Sequence, residues 1–134
     1  MRVIAGAAKG HNLQTIEGLA TRPTTDRIKE TLFNIIAFDL PECSFLDLFA
    51  GSGQMGLEAL SRGAKRVTLV ERSGQAASII AKNISKIRME GSDEIRFHKK
   101  SVAQALELLG QAGEKFDIIF MDPPYRDVPQ RLEE

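Results

Sequence analysis

From residue 44 onward, short apolar runs alternate with longer stretches in which apolar residues recur every three or four positions. The apolar runs predict four strands, at 45–49, 66–71, 94–98 and 116–121. The stretches between them predict three helices, at 53–62, 73–89 and 101–109. Strands connected through helices form right-handed crossovers and a parallel sheet with helices on both faces. The pattern therefore predicts an α/β fold with a doubly wound parallel sheet.

The first 40 residues carry a different pattern. Two β-leaning segments, 2–6 and 11–16, flank a turn at which Gly10 is free to adopt a positive φ. These segments predict a β-hairpin. The hairpin and the helix that follows it are expected to form an N-terminal extension at residues 1–40. The α/β core is expected to occupy residues 41–134.

The extension also contains a predicted helix. Pro23 disfavours helical backbone at the residue before it, so the helix is expected to begin with Thr24 or Thr25 as N-cap. Asp26 falls in its first turn, where a negative charge is favourable, and Pro41 ends the helical region. The apolar side chains are spaced to form one face of the helix: Ile28, Leu32, Ile35 and Ile36.

Composition and charge narrow the class of protein. The 18 Lys and Arg residues balance the 18 Asp and Glu residues, which argues against a protein that coats nucleic acid, since such proteins are strongly basic. Residues 1–30 contain five basic and three acidic residues, so a local basic patch remains possible. No apolar run approaches the ~20 residues of a membrane span, and the N-terminus lacks the apolar core of a signal peptide. The expected compartment is the cytoplasm, in agreement with a single cysteine, Cys43.

A glycine-rich sequence follows the first predicted strand and opens the next helix. Gly51, Gly53 and Gly56 form the pattern G-x-G-x-x-G, in which the glycines permit a tight turn, close approach of a ligand, and close packing of helix on strand. Glu71 lies 20 residues after Gly51, at the end of the second strand. A carboxylate there can accept both hydroxyls of a ribose. The combination is typical of a Rossmann-like site for a dinucleotide or for S-adenosylmethionine (SAM).

Asp47, late in the first predicted strand, distinguishes between these two ligands. Its carboxylate is placed near the carboxyl end of the strand, where ligands bind in such sheets. A carboxylate there would repel a pyrophosphate and attract the ammonium group of SAM. The alternative interpretation is a buried, hydrogen-bonded or helix-capping aspartate.

A second candidate group follows the fourth predicted strand and comprises Asp122, Pro123, Pro124 and Tyr125. Because proline has no N–H, this turn presents carbonyl acceptors. The Asp122 carboxylate and the Pro123 carbonyl can therefore converge on an amine of a base, on which Tyr125 can stack. In a doubly wound sheet the fourth strand lies beside the first, so the turn is expected to face the glycine-rich loop. A rigid turn with a packed tyrosine is the alternative.

These motifs resemble those of class I SAM-dependent methyltransferases that act on exocyclic amines of bases. They are DLFAGSG at 47–53, VE at 70–71 and DPPY at 122–125. Three further stretches resemble the bacterial 16S rRNA (guanine-N2)-methyltransferase family, RsmD type. They are RVIAG at 2–6, RPTTDRIKETLFNII at 22–36 and GLEALSRGA at 56–64. The resemblance implies methyl transfer from SAM to the N2 amine of a guanine in small-subunit ribosomal RNA.

The resemblance also implies roles for individual residues. The implied SAM site comprises Asp47, Phe49, Gly51, Gly53 and Glu71. The implied catalytic residues, which hold the target amine, are Asp122, Pro123 and Tyr125. The implied RNA contacts, from the N-terminal segment, are Arg2, Lys9, Arg22 and Arg27. Such enzymes often have an acidic residue near the adenine amine, whereas this sequence has Ser101 there. Ser101 is either an adenine contact or the N-cap of a capping box with Gln104.

The family fold continues through three strands beyond the Asp-Pro-Pro-Tyr turn, so C-terminal strands are expected to be missing and apolar surface to be exposed beside the fourth strand. The expected partner is 16S rRNA, within a small-subunit assembly particle, and the expected state is a monomer. No membrane association is expected. No metal site is expected either, because His11 and His98 are far apart and Cys43 is near neither.

Three alternative functions stay open on the sequence. A DNA adenine-N6 methyltransferase would use the same Asp-Pro-Pro-Tyr turn and differ in its methylated product. A nicotinamide-dependent oxidoreductase would use the glycine-rich loop but leave that turn unexplained. An inactive SAM-binding fragment would bind the cofactor without transferring its methyl group.

Overall fold

The computed structural model describes residues 2–10, 12–14, 26–87 and 94–123. The fold is built on a four-stranded parallel sheet in the order β3-β2-β1-β4. The strands are β1 (Ser44–Asp47), β2 (Arg66–Val70), β3 (Ile95–His98) and β4 (Ile118–Phe120). The predicted α/β fold with a doubly wound sheet is confirmed, including the return of the fourth strand to lie beside the first.

Helices cover both faces of this sheet. They are α1 (Asp26–Ile35), α2 (Gln54–Ser61), α3 (Gly74–Ile87) and α4 (Val102–Gln111), with a short 3-10 turn at Ala37–Asp39. Successive strand residues point to opposite faces, so Phe45 packs in the cluster that holds side chains of α1, α2 and α3. Leu46 packs in a second cluster with Ala105 and Leu109 of α4. The central strands β1 and β2 are thus buried on both faces, as is typical of parallel strands covered by helices.

The close packing of α2 on β2 depends on Gly56. A Cβ atom at this position would lie 2.3 Å from Cδ2 of Leu69 and 2.8 Å from Cγ1 of Val67. Only glycine leaves room for these two core side chains. The third glycine of the G-x-G-x-x-G pattern therefore has the packing role that the sequence predicts.

The apolar face predicted for α1 is only partly buried. Ile28 and Ile35 are 59% and 74% exposed, whereas Lys29 and Phe33 are completely buried. The buried lysine is possible because its Nζ lies 3.4 Å from a Glu58 carboxylate oxygen. The helix is therefore rotated relative to the face that its isoleucines suggest, with Leu32 and Ile36 half-buried at its edge.

The N-terminal segment is described at residues 2–10 and 12–14. Among these residues its two arms meet in one antiparallel bridge, between Arg2 and Asn12. Gly10 has the positive φ that its turn requires, at 88°. Val3, Ala8 and Leu13 form a small apolar cluster with α2 and α3, so the segment packs directly on the α/β core. The candidate N-caps of α1, at 24 and 25, lie outside the described residues.

The end of α4 differs in detail from expectation. The capping box of Ser101 and Gln104 is present at the start of α4, but the helix continues through Gly110 to Gln111. The left-handed residue that follows the helix is Gly113, with a φ of 70°. Apolar surface is exposed at β4, as predicted, since Ile119 is 57% exposed. None of the described helices is long and apolar enough to cross a membrane.

Candidate functional site

The glycine-rich loop joins β1 to α2 through two left-handed residues. Gly51 has a φ of 57° and Gly53 a φ of 84°. The N–H of Gly53 donates to the carbonyl of Ala50 at 2.7 Å, which closes the turn. Gly53 is also the N-cap of α2 and, having no side chain, makes no side-chain cap hydrogen bond. The positive end of the α2 dipole therefore faces a position where an anionic group would be stabilised.

Glu71 lies beside this loop, as its spacing predicts. Its Oε1 accepts a hydrogen bond from the N–H of Gly51 at 3.0 Å. Its Oε2 accepts from the N–H of Ser73, also at 3.0 Å. Each oxygen keeps a further lone pair, and the residue is half-buried. The carboxylate is thus oriented and can still accept hydroxyl donors.

Asp47 ends β1 and is completely buried. Its Oδ1 accepts from the N–H of Phe49 at 3.1 Å, whereas its Oδ2 has no hydrogen-bond partner among the described residues. Burial raises the pKa of Asp47 to about 7; the Phe49 N–H opposes this shift, and the charges of Glu71 and Asp122 add to it. A cation placed at Oδ2 would satisfy the free oxygen and favour the ionised carboxylate.

The position of Asp122 follows from the pairing of β1 with β4. Asp47 is the register partner of Phe120, and the N–H of Leu48 donates to the Phe120 carbonyl at 3.1 Å. Asp122 therefore leaves the sheet at the same edge as Asp47, close enough to raise its pKa. The Asp122 side chain is exposed and Pro123 is half-buried. Pro124 and Tyr125 lie outside the described residues.

A shallow crevice, partly open to solvent, adjoins Glu71 at the carboxyl ends of the strands. Its lining residues are Leu48, Phe49, Glu71, Arg72, Lys100, Ser101 and Val102. Ser101 is the N-cap of α4, since its Oγ accepts from the Gln104 N–H at 3.2 Å. It also borders the crevice, so a contact with adenine stays a prediction. Among the described residues, no group of three or more His, Cys, Asp and Glu side chains is placed to hold a metal ion.

The candidate RNA-contacting residues of the extension lie on the surface where they are described. Arg2, Lys9 and Arg27 are exposed, and Arg2 Nε lies 3.8 Å from a carboxylate oxygen of Asp26. Arg22 lies outside the described residues. Lys29, which adds to the positive charge of this part of the sequence, is buried and contributes nothing to the surface.

Two buried polar residues with contacts to the N-terminal segment are not among the candidates that the sequence indicates. Glu58, completely buried in α2, accepts from the N–H groups of Ile4 and Ala5 at 2.8 and 3.1 Å. It also pairs with Arg62 Nε at 2.7 Å. Asn83, completely buried in α3, contacts both the N-terminal segment and the glycine-rich loop. Their only signal in the sequence is a polar residue on an otherwise apolar helix face.

Comparison with known proteins gives consistent matches. A family model described as Conserved hypothetical protein 95 matches residues 1–134. The chain is 37% identical over 126 residues to Ribosomal RNA small subunit methyltransferase D of Escherichia coli (strain K12), which covers 94% of the chain and 61% of that relative. The chain thus spans less than two thirds of the relative's length.

Solved structures share the fold. A hypothetical protein of Thermus thermophilus superposes with a TM-score of 0.81 at 32% identity, covering 94% of this chain and 70% of that one. A SAM-dependent methyltransferase from Agrobacterium tumefaciens gives a TM-score of 0.58 at 27% identity, covering 71% of this chain and 30% of that one. Both matches agree with the parallel sheet described above.

Proposed function

Because the chain belongs to the family described as Conserved hypothetical protein 95, we propose that it transfers a methyl group from SAM to the N2 amine of a guanine in 16S ribosomal RNA. One observation carries the proposal: Asp47 and Asp122 leave neighbouring strands at the same edge of the sheet, beside the glycine-rich loop. A cofactor ammonium held by one and an acceptor amine held by the other would lie next to each other.

The residues present fit SAM rather than a dinucleotide. The free Oδ2 of Asp47 is buried and lacks a donor among the described residues, which suits an ammonium group and would repel a pyrophosphate. Glu71 offers lone pairs to ribose hydroxyls, and the uncapped N-terminus of α2 suits the cofactor carboxylate. Phe49 and Ser101 border the crevice in which the adenine would lie. SAM, when bound, supplies a methyl group on a positively charged sulfur.

The residues after β4 would hold the target amine. The lone pair of a guanine N2 is delocalised into the ring, so the amine is a poor nucleophile. Hydrogen bonds from its N–H groups to the Asp122 carboxylate and the Pro123 carbonyl favour a more tetrahedral nitrogen aimed at the methyl group. Such positioning can supply several kcal/mol, about 7–11 in the best intramolecular systems. The base must leave its stack to reach this turn, and Tyr125 is the proposed stacking surface.

The extension at residues 1–40 is the proposed RNA contact, and residues 41–134 are the proposed methyltransferase core. Arg2, Lys9, Arg22 and Arg27 would neutralise phosphates and so position the RNA without reading its sequence. The proposed substrate is 16S rRNA in a small-subunit assembly particle in the cytoplasm, bound by a monomer. The relative's printed name, a small-subunit rRNA methyltransferase, supports this choice of RNA.

The test is methylation of unmodified small subunits with radiolabelled SAM, followed by nucleoside analysis. N2-methylguanosine is the expected product. N6-methyladenosine on a DNA substrate would instead identify an adenine methyltransferase, and calorimetric binding of NAD in place of SAM would identify an oxidoreductase. SAM binding without transfer to RNA or DNA would mean that the chain binds the cofactor but does not catalyse.

Substitution of Asp122 tests the role of the turn that follows β4. Asp122→Ala should lower the rate of transfer at saturating SAM and RNA, because the amine loses its carboxylate acceptor, while SAM binding measured by calorimetry is retained. Asp39→Ala, which removes an exposed carboxylate from the 3-10 turn, is the matched control and should keep full activity. Full activity of Asp122→Ala at saturating substrate would show that its assigned role is wrong.

A further inference from the structure

Asn83 uses both of its N–H donors and its carbonyl oxygen to join two parts of the molecule. Its Oδ1 accepts from the Gln14 N–H at 2.8 Å, and its Nδ2 donates to the Gln14 carbonyl at 2.9 Å. The second Nδ2 hydrogen goes to the carbonyl of Ser52, also at 2.9 Å. A buried amide that is satisfied in this way fixes the groups that it contacts, because each lost bond leaves a buried polar atom unpaired.

The bond to Ser52 fixes one peptide plane of the glycine-rich loop. The carbonyl end of the Ser52–Gly53 peptide is held by Asn83, and its N–H end donates to Ala50 at 2.7 Å. Rotation of this plane would therefore break two hydrogen bonds. The next residue, Gln54, begins α2, so this peptide directly precedes the helix N-terminus.

The bonds to Gln14 fix the N-terminal segment in a similar way. The paired donor and acceptor of Asn83 hold the Gln14 backbone as a neighbouring strand would. A second α3 side chain holds the same segment: Lys86 Nζ donates to the Asn12 carbonyl at 2.8 Å. Of these two side chains, Asn83 also bonds to the glycine-rich loop, whereas the described Lys86 hydrogen bond goes to the N-terminal segment.

We propose that Asn83 is a positioning residue that couples the glycine-rich loop to the N-terminal segment, so that ligand binding at the loop orders the backbone around Gln14. The inference rests on the proposed function, because the ligand is SAM and the segment is the proposed RNA contact. By linkage, RNA bound to the segment would strengthen SAM binding by the same factor. Coupling between sites commonly amounts to about 5-fold to 150-fold, and we expect about tenfold here.

The experiment is amide hydrogen exchange by NMR on the full chain, with and without saturating SAM. The Gln14 amide should exchange about tenfold more slowly with SAM. The Ala7 amide, which donates to the Ser61 carbonyl at 2.9 Å, is the internal control and should slow much less. Ala7 lies in the same segment but is held by α2, so general stabilisation by the ligand would slow both amides alike.

Two variants separate coupling from simple loosening of the segment. Asn83→Asp keeps the shape and the acceptor but removes both donors, so the SAM-dependent slowing at Gln14 should vanish and SAM should bind about tenfold more weakly. Lys86→Ala should speed exchange at Gln14 in the absence of SAM but keep the SAM-dependent slowing. If Asn83→Asp does not fold, the comparison of Gln14 with Ala7 in the unaltered chain decides.

The outcomes distinguish this inference from the proposed function. Absence of SAM binding in calorimetry, with no change in exchange at the Gly53 amide, would overturn the proposed function and the coupling with it. SAM binding with slower exchange at Gly53 but equal behaviour of Gln14 and Ala7 would overturn the coupling alone. Retained slowing at Gln14 in a folded Asn83→Asp variant would also overturn it.

Discussion

The carboxylate of Glu71 accepts a hydrogen bond from the Gly51 N–H at 3.0 Å, which joins the end of β2 to the turn that follows β1. The other carboxylate oxygen is held by the Ser73 N–H at the same distance. Both bonds use the backbone and so orient the side chain without any ligand. The Glu71 side chain is therefore already ordered, so a ligand that donates to it does not have to immobilise it on binding.

Glu71→Gln should weaken SAM binding, because the amide replaces one acceptor oxygen by a donor and removes the charge. Hydrogen bonds to charged groups contribute about 1.5–3 kcal/mol, so the dissociation constant should rise roughly tenfold to a hundredfold. Calorimetric titration measures it. Glu107→Gln, on the exposed face of α4, is the control and should leave the affinity unchanged. Equal affinity of the two variants would remove Glu71 from the cofactor site.

SAM binding should be linked to proton release from Asp47. Burial raises the pKa of this carboxyl to about 7, and a bound ammonium group would favour its ionised form. At pH 7 about half a proton per cofactor should therefore leave on binding. Calorimetry in buffers of different ionisation enthalpy measures this number. Affinity should rise from about pH 6 to pH 7, and binding without proton release would contradict a contact between Asp47 and the ammonium group.

The same pKa sets the sign of a stability change in the protein without ligand. From about pH 4 to pH 7 the folded protein keeps a proton on Asp47 that the unfolded chain releases. The contribution of Asp47 to the free energy of unfolding therefore falls as pH rises through this window. Urea unfolding at several pH values should show this fall, and Asp47→Asn should remove it. A slope unchanged in Asp47→Asn would assign the pH dependence to other groups.

The sheet and the glycine-rich loop could be predicted because their constraints are local. A parallel strand buried on both faces is mostly apolar, as Phe45 and Leu46 are in β1. A turn that needs left-handed backbone selects glycine, as at Gly51 and Gly53. Each feature can therefore be read within a few neighbouring residues.

The buried face of α1 could not be predicted, because it depends on a partner far away in the sequence. The buried Lys29 has two partners for its ammonium group: Glu58, 29 positions later, at 3.4 Å, and the Arg2 carbonyl, 27 positions earlier, at 2.6 Å. Hydrophobic periodicity assigns a lysine to solvent and an isoleucine to the core. Both assignments fail here, since Lys29 is buried while Ile28 and Ile35 are exposed.

Glu58→Ala should destabilise the fold strongly. The substitution leaves the buried Lys29 ammonium without its carboxylate and the N–H groups of Ile4 and Ala5 without their acceptor. Loss of one partner of a buried pair costs about 3–5 kcal/mol of unfolding free energy. Glu114→Ala, which removes an ion pair with the half-exposed Arg96, should cost only about 0–1 kcal/mol. Urea unfolding measures both, and similar values would contradict a central role for Glu58.

Gly6 and Gly10 both have left-handed backbone, but their surroundings differ. Their φ values are 91° and 88°. A Cβ at Gly6 would lie 1.8 Å from the Ser61 carbonyl oxygen, whereas nothing lies within 4 Å of one at Gly10. Both alanine variants should therefore lose about 1–2 kcal/mol through backbone strain, but only Gly6→Ala must also displace the segment from α2.

That displacement would break the hydrogen bonds that the Ala7 and Ala8 N–H groups donate to Ser61, both 2.9 Å long. Amide exchange at these two positions should therefore be much faster in Gly6→Ala than in Gly10→Ala. Exchange in β1 and β2 should change little in either variant if the strands open independently of the segment, and unfolding in urea provides the global comparison. Equal exchange at Ala7 in the two variants would show that the contact of Gly6 with Ser61 does not hold the N-terminal segment in place.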